Sequence, residues 1–277
     1  IRVPFFLGRK MKIQEGRVSI QEGIVIGDVG RKSLKADIFL PPIEGKNRPA
    51  VLFIHGGGWM EGDRSQLRGY GILLARLGFV CMCNSYRLSS ESIWPAQIQD
   101  VNCAIRYLRA NATDLGLDPE RIGVSGNSAG GHLSLMAAAT NNDQDFEGEG
   151  GNNEVSSEVK AVCAIYPPTT IRQLEMINPL ENAFLMLMGE EAKKEEYDKA
   201  SPLNYVVEEY PPCMLIHGST DNVVRLKEST KFYEKLIEFK RPASLHIFSE
   251  EEHAFDGKPG YGRVIADLQA LFFFKYL

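Results

Sequence analysis

Residues Arg121-Ile122-Gly123-Val124-Ser125-Gly126-Asn127-Ser128-Ala129-Gly130 run from a short apolar stretch into a glycine-flanked turn, and a helix-like stretch follows from His132 to Ala139. Strand, sharp turn and helix around Gly-x-Ser-x-Gly is the setting that presents a serine hydroxyl as a nucleophile. The reason is steric. A serine at such a turn is held in a strained backbone conformation, and the residues two before and two after it must be small for strand and helix to pass closely. Gly126 and Gly130 meet that need. The helix that follows is expected to aim its N-terminal amides and positive dipole end at Ser128, where an acyl-transfer intermediate would collect negative charge.

With 26 glycines in 277 residues, one pentapeptide proves little. A second element strengthens it. His55-Gly56-Gly57-Gly58-Trp59 follows Ala50-Val51-Leu52-Phe53-Ile54, a continuous apolar run that reads as a buried strand. Three glycines after a strand leave backbone N–H groups uncovered by side chains, and such donors can cradle an oxyanion. Gly57, Gly58 and Ala129 are therefore the candidate oxyanion donors. A flexible loop is the ordinary reading of such a glycine run, and a core aromatic that of Trp59.

An acid and a base should follow the serine. Pro212 to His217 reads as a strand whose trailing loop, Gly218 to Asn222, carries Asp221, and Ser244 to Phe248 as a strand whose trailing loop carries His253. The chain has five histidines. His55 belongs to the glycine loop, His132 lies along the helix after Ser128, and His217 and His246 fall in predicted strands, where packed histidines are usual. His253 remains as the base. Asp221 could instead be a turn former or cap the helix beginning near Val224. Any of Glu250, Glu251 and Glu252 lying close to His253 would favour its protonated form.

Strand and helix patterns alternate along the chain. Val18 to Ile26 and Leu34 to Leu40 read as an antiparallel pair turning at Gly27 to Gly30, and from Ala50 onward the order is βαβα. That order predicts a mostly parallel, doubly wound sheet with helices on both faces and its site at the carboxyl ends of the strands. Two segments interrupt it. Asn141 to Glu158 is acidic and reads as a solvated loop, its carboxylate spacing matching no calcium loop. Residues at about 167–210 form an insertion containing Ala183-Phe184-Leu185-Met186-Leu187-Met188, read as a small helical, lid-like cover or as ordinary packing on the sheet. No repeat or linker divides residues 1–277, so one domain is expected.

At 44% apolar residues and a net charge of -5, the chain suits a globular protein and makes nucleic acid an unexpected partner. No stretch approaches the roughly 20 apolar residues of a membrane span. The apolar patch Val3 to Leu7 is too short for a signal-peptide core, and a removed leader is left open. The five cysteines all lie in apolar runs, with neither the number nor the spacing of a disulfide framework or zinc site, so a reducing, cytoplasmic compartment is expected.

From about Pro49 to the C-terminus the chain resembles α/β-hydrolases of the hormone-sensitive-lipase-like esterase group, which includes acetyl esterases, feruloyl esterases and arylformamidases. His55 to Gly58, Gly126 to Gly131, Tyr86-Arg87-Leu88 and Asp118-Pro119-Glu120-Arg121-Ile122 carry the likeness. Asn127 stands where the lipase-like branch often has Asp, and Ser89-Ser90-Glu91 replaces its frequent Ala-Pro-Glu. The resemblance implies the α/β-hydrolase fold, a Ser128–Asp221–His253 triad and a serine carboxylesterase acting on small, short-chain acyl or aryl esters. It implies no metal or cofactor, and homodimers are common in the group. Trp59 and Trp94 are candidate substrate-binding residues that would close the pocket. An amide-bond hydrolase such as an arylformamidase, or a non-catalytic ligand-binding protein of the same fold, remains an alternative.

Overall fold

In the computed structural model the described residues are 5–6, 9–10, 12–141, 143–172 and 179–277. Much of the patch Val3 to Leu7, and residues 173–178 of the insertion, lie outside them.

Eight strands form one sheet: β1 (Ser19–Val29), β2 (Lys32–Leu40), β3 (Arg48–Ile54), β4 (Val80–Asn84), β5 (Leu117–Asn127), β6 (Ala161–Ile165), β7 (Cys213–Gly218) and β8 (Ala243–Phe248). Their spatial order is β8-β7-β6-β5-β3-β4-β2-β1. β1 with β2 and β2 with β4 pair antiparallel, and every other pairing is parallel.

The inner strands read as unbroken apolar runs because both of their faces are covered. Successive residues of β3 go to opposite sides: Ala50, Leu52 and Ile54 join one core cluster, Val51 and Phe53 the other. β6 divides likewise, with Val162 and Ala164 on one side and Ala161, Cys163 and Ile165 on the other. The first cluster lies under helices α2 (Ala96–Ala110) and α3 (Ala129–Ala139), and the second under α1 (Arg68–Ala75) and the C-terminal α7 (Tyr261–Tyr276). All five cysteines are free and buried. Each fully buried apolar side chain contributes about 1.5–3 kcal/mol relative to exposure, so the two-period alternation fixes the strand register.

Two sequence expectations need correction. The first hairpin turns later than Gly27 to Gly30, because β1 continues to Val29 through two register irregularities. Gly27 serves a close approach instead: a Cβ there would lie 1.8 Å from the Gly150 carbonyl oxygen, and the neighbouring Asp28 N–H donates to that oxygen at 3.0 Å. The acidic segment that approaches it is also better anchored than a solvated loop. Arg106, 1% exposed, donates to Gly151 O, Glu147 O and the Glu147 carboxylate, and Arg109 donates to the carbonyls of Pro119, Ser156 and Glu158.

The described part of the insertion carries α4 (Pro179–Met188) and α5 (Lys194–Lys199). Ala183, Phe184, Leu187 and Met188 are buried. Helix α6 (Lys227–Glu238) packs on β7 and β8. Among the described residues no helix is long and apolar enough to cross a membrane.

Candidate active site

β5 ends at Asn127, and Ser128 stands alone between it and α3 with φ 53° and ψ -120°. A left-handed φ at a non-glycine residue costs on the order of 1–3 kcal/mol and persists only where the surroundings enforce it. Here they do. A Cβ at position 126 would lie 2.4 Å from Gly130 O, and one at position 130 would lie 1.9 Å from Ile54 O. Strand β5, helix α3 and the end of β3 therefore meet at contact distance only because both residues are glycine. Hydrogen bonds from Ser128 N to Ile165 O (2.9 Å) and from His132 N to Ser128 O (3.0 Å) fix the turn.

The register of the sheet brings the other loops to the same edge. Ile54 is opposite Gly126, so the glycine loop after β3 emerges beside Ser128. Phe248 is opposite Gly218, so the loops after β7 and β8 leave side by side. They are also tied together: Ser219 N donates to Phe248 O (2.8 Å), Thr220 N to Glu251 O (3.0 Å) and Glu250 N to Ser219 Oγ (2.8 Å). A Cβ at Gly218 would lie 2.2 Å from Glu251 O, so this contact too requires glycine.

These loops bring three predicted side chains together. His253 Nε2 lies 2.9 Å from Ser128 Oγ, and His253 Nδ1 lies 2.7 Å from Asp221 Oδ2. Asp221 acts as a turn former at the same time, since its Oδ1 accepts from Val223 N (2.9 Å) and Val224 N (2.8 Å). One carboxylate thus makes both kinds of contact weighed from the sequence, one oxygen for each. Burial pushes the Asp221 pKa up, but hydrogen bonds from His217 and His253, the charge of His253 and the Val224 amide outweigh it and hold the group well below the usual carboxylate range. An anionic carboxylate at Nδ1 selects the tautomer whose Nε2 can accept the serine proton.

The other histidines have structural partners. His217 is bound through Nδ1 to Ser229 Oγ (2.7 Å), and its Nε2 is shared between Val224 O (2.8 Å) and Asp221 Oδ2 (3.4 Å). His132 Nε2 donates to Ala200 O at 2.7 Å. His55 Nδ1 donates to Gly56 O at 2.8 Å, and its ring stacks on Tyr86 at 4.2 Å, shaping the glycine loop. His246 is half-buried in the edge strand rather than packed in the core. Glu251 does not turn toward His253; it pairs with Lys258 (2.6 Å) and Tyr261 (2.6 Å).

In the glycine loop, Gly57 has φ 107° and Gly58 φ 58°. A Cβ at Gly57 would lie 2.2 Å from Glu61 O, because its own carbonyl accepts from the amides of Met60 and Glu61. Gly57 and Gly58 line a cavity of about 840 Å³ that also contains Ser128 and His253.

Trp59 and Trp94 do not line this cavity. Trp59 is fully buried, with its ring edge-on to His132 (5.1 Å) and tilted against Phe184 (5.9 Å), while Trp94 packs against His132 and Phe146. They support α3 and α4 from behind. The lining beside Ser128 includes Asn127 and three residues not singled out as site residues from the sequence: Tyr70, Tyr166 and Asp256. Tyr166, left-handed at φ 39°, lays its ring 4.5 Å from that of His253. Its hydroxyl donates to Asp256 Oδ1 and accepts from Asn127 Nδ2 at 3.2 Å. The one sequence signal was Asp256 itself, a carboxylate three residues after His253 in the same loop. Among the described residues no group of three or more His, Cys, Asp or Glu side chains is arranged to hold a metal ion.

Sheet order, strained serine and converging loops together are those of the α/β-hydrolases. Residues 36–236 match the BD-FAE family, and the chain belongs to it. It is similar to esterase LipC of Mycobacterium tuberculosis, 35% identical over 199 residues that cover 69% of this chain and 49% of that protein. Esterase LipQ of the same organism is 32% identical over 245 residues, 84% of this chain and 56% of that protein. The chain thus spans about half the length of these curated relatives. A truncated carbohydrate esterase from gut microbiota superposes with a TM-score of 0.81 at 28% identity, covering 92% of this chain and 96% of that one.

Proposed function

We propose that this chain is a serine carboxylesterase that hydrolyses small, short-chain acyl or aryl esters through an acyl-enzyme intermediate. One observation carries the reading: the continuous hydrogen-bond path from Asp221 Oδ2 through the His253 ring to Ser128 Oγ, with steps of 2.7 and 2.9 Å. His253 takes the hydroxyl proton as Ser128 attacks the ester carbonyl, then returns it to the departing alcohol; water releases the acid by the same route. Asp221 holds the imidazole in place and stabilises its cation.

The amides of Gly57, Gly58 and Ala129 are the proposed oxyanion donors, each supplying roughly 3 kcal/mol if comparable to known holes. Their position beside Ser128 and the absence of side chains over two of them support this. The chain is read as one hydrolase domain in which the insertion at about 167–210 acts as a small cover, Ala183 of α4 reaching the cavity wall. Names of the relatives and of the solved neighbour, all esterases, support the ester reading. Fluorophosphonate labelling is the direct test: stoichiometric modification of Ser128 is expected, and an unlabelled serine in folded protein would sink the proposal.

A further inference from the structure

The wall of the cavity beside Ser128 holds a carboxylate that the proposed chemistry does not use. Asp256 Oδ1 accepts from the Tyr166 hydroxyl, and Oδ2 accepts from the Tyr70 hydroxyl at 3.2 Å and, at the limit of a hydrogen bond, from Asn127 Nδ2 at 3.5 Å. All three donors are neutral groups. Burial first, and then the Asp256 charge, push both phenols above their ordinary pKa, which keeps them protonated donors. Tyr166 is fully buried and Tyr70 nearly so, so the carboxylate is fixed by side chains that cannot easily move.

None of these bonds cancels its charge. Two cationic residues line the same cavity, but Lys258 pairs with Glu251 at 2.6 Å and Arg263 with Asp267 at 3.2 Å. Glu61, the other acidic residue of the lining, makes no ion pair among the described residues. The space in which an ester must sit therefore carries uncompensated negative charge. It is concentrated at a rigid acceptor in the segment that also supplies His253. A substrate carboxylate would meet like charge there, whereas an uncharged group with an N–H or O–H would find an acceptor already in position.

We infer that Asp256, held by Tyr70, Tyr166 and Asn127, is a specificity-determining residue that selects uncharged, hydrogen-bond-donating esters and rejects esters bearing a carboxylate. This rests on the esterase reading and narrows its substrate class.

The test compares pairs of equal shape: 4-acetoxybenzamide with 4-acetoxybenzoate, charged in the alcohol half, and 4-nitrophenyl succinamate with mono-4-nitrophenyl succinate, charged in the acyl half. In at least one pair, kcat/KM for the amide-bearing ester should exceed that for the carboxylate by about tenfold, the size expected for partly screened charges several ångströms apart. Raising ionic strength from about 0.05 to about 0.5 M should shrink that ratio in the unmodified protein. In Asp256→Asn the ratio should fall toward unity, and in Glu61→Gln it should fall less. Ratios within twofold of unity in both pairs, or an undiminished ratio in folded Asp256→Asn, would overturn the inference. If Asp256→Asn does not fold, a ratio insensitive to salt overturns it equally. Failure to hydrolyse any of the four compounds, or 4-nitrophenyl acetate, would instead count against the esterase reading itself.

Discussion

His132 lies fully buried one turn into α3, where Nε2 donates to Ala200 O at 2.7 Å and Nδ1 has no partner among the described residues. A carbonyl only accepts, so the ring is held as the Nε2–H tautomer. Protonating Nδ1 would place an unpaired cation in the core. Burial accordingly lowers the pKa of His132 to about 4, opposed by the hydrogen bond to the Ala200 carbonyl. His55 is in the same position: burial lowers it to about 4, opposed by the Gly56 carbonyl and the Asp63 charge.

In the unfolded chain both rings titrate near 6.5. Between that pH and about 4 the unfolded state binds a proton at each site that the folded state refuses, so stability rises with pH across this window. The contribution is fully present above pH 6.5 and is lost on acidification. For one histidine the loss between pH 6.5 and 5.0 is about 1.5 kcal/mol. His132→Gln keeps a donor for Ala200 and removes the titration. Denaturant unfolding at pH 6.5 and 5.0 should therefore show the variant losing about 1.5 kcal/mol less than the parent protein. Carboxylates and the remaining histidines titrate alike in both and cancel. Equal losses would refute the reasoning.

Asp221→Asn should leave the fold intact but lower kcat on a 4-nitrophenyl ester by on the order of 10⁴-fold, because the neutral amide permits the wrong imidazole tautomer; a loss under tenfold would exclude Asp221 from its proposed role. Gly130→Ala brings a Cβ to 1.9 Å from Ile54 O, a backbone atom that cannot yield, whereas a Cβ at Gly257 meets nothing within 4 Å. Thermal unfolding should show a loss of roughly 3 kcal/mol or more for the first and within about 0.5 kcal/mol for the second, and similar values for the two would contradict the packing argument. Arg106→Leu strands the half-buried Glu147 and the carbonyl of Gly151, so about 3–5 kcal/mol should be lost in denaturant titration; a loss below 1 kcal/mol would show the clamp to be dispensable.

The features legible in the sequence are those whose cause is local. Gly126, Gly130 and, after β3, Gly56 and Gly57 are required by contacts between backbones, and only one residue type meets them, so the motif exposes the geometry. Alternation within β3 and β6 is equally local, since a strand covered on both faces must be apolar throughout. What escaped the reading depends on segments distant in the chain. Trp59 looks like a pocket residue because it follows the glycine loop, yet Phe184 and His132 enclose it. Gly27 looks like a turn residue, and its actual reason is Gly150, more than a hundred positions away. The Tyr70, Asn127, Tyr166 and Asp256 wall draws on four separate segments; Asn127 and Asp256 lie near Ser128 and His253 in the chain, but no spacing announces Tyr70 or Tyr166.

Replacing Ser128 by alanine and measuring kcat/KM on a short-chain 4-nitrophenyl ester tests the whole account most directly. Turnover should fall on the order of a millionfold, with an unchanged unfolding transition, leaving only the residual rate that binding and the oxyanion donors support. A folded Ser128→Ala protein that still turns the ester over at the parent rate would contradict it.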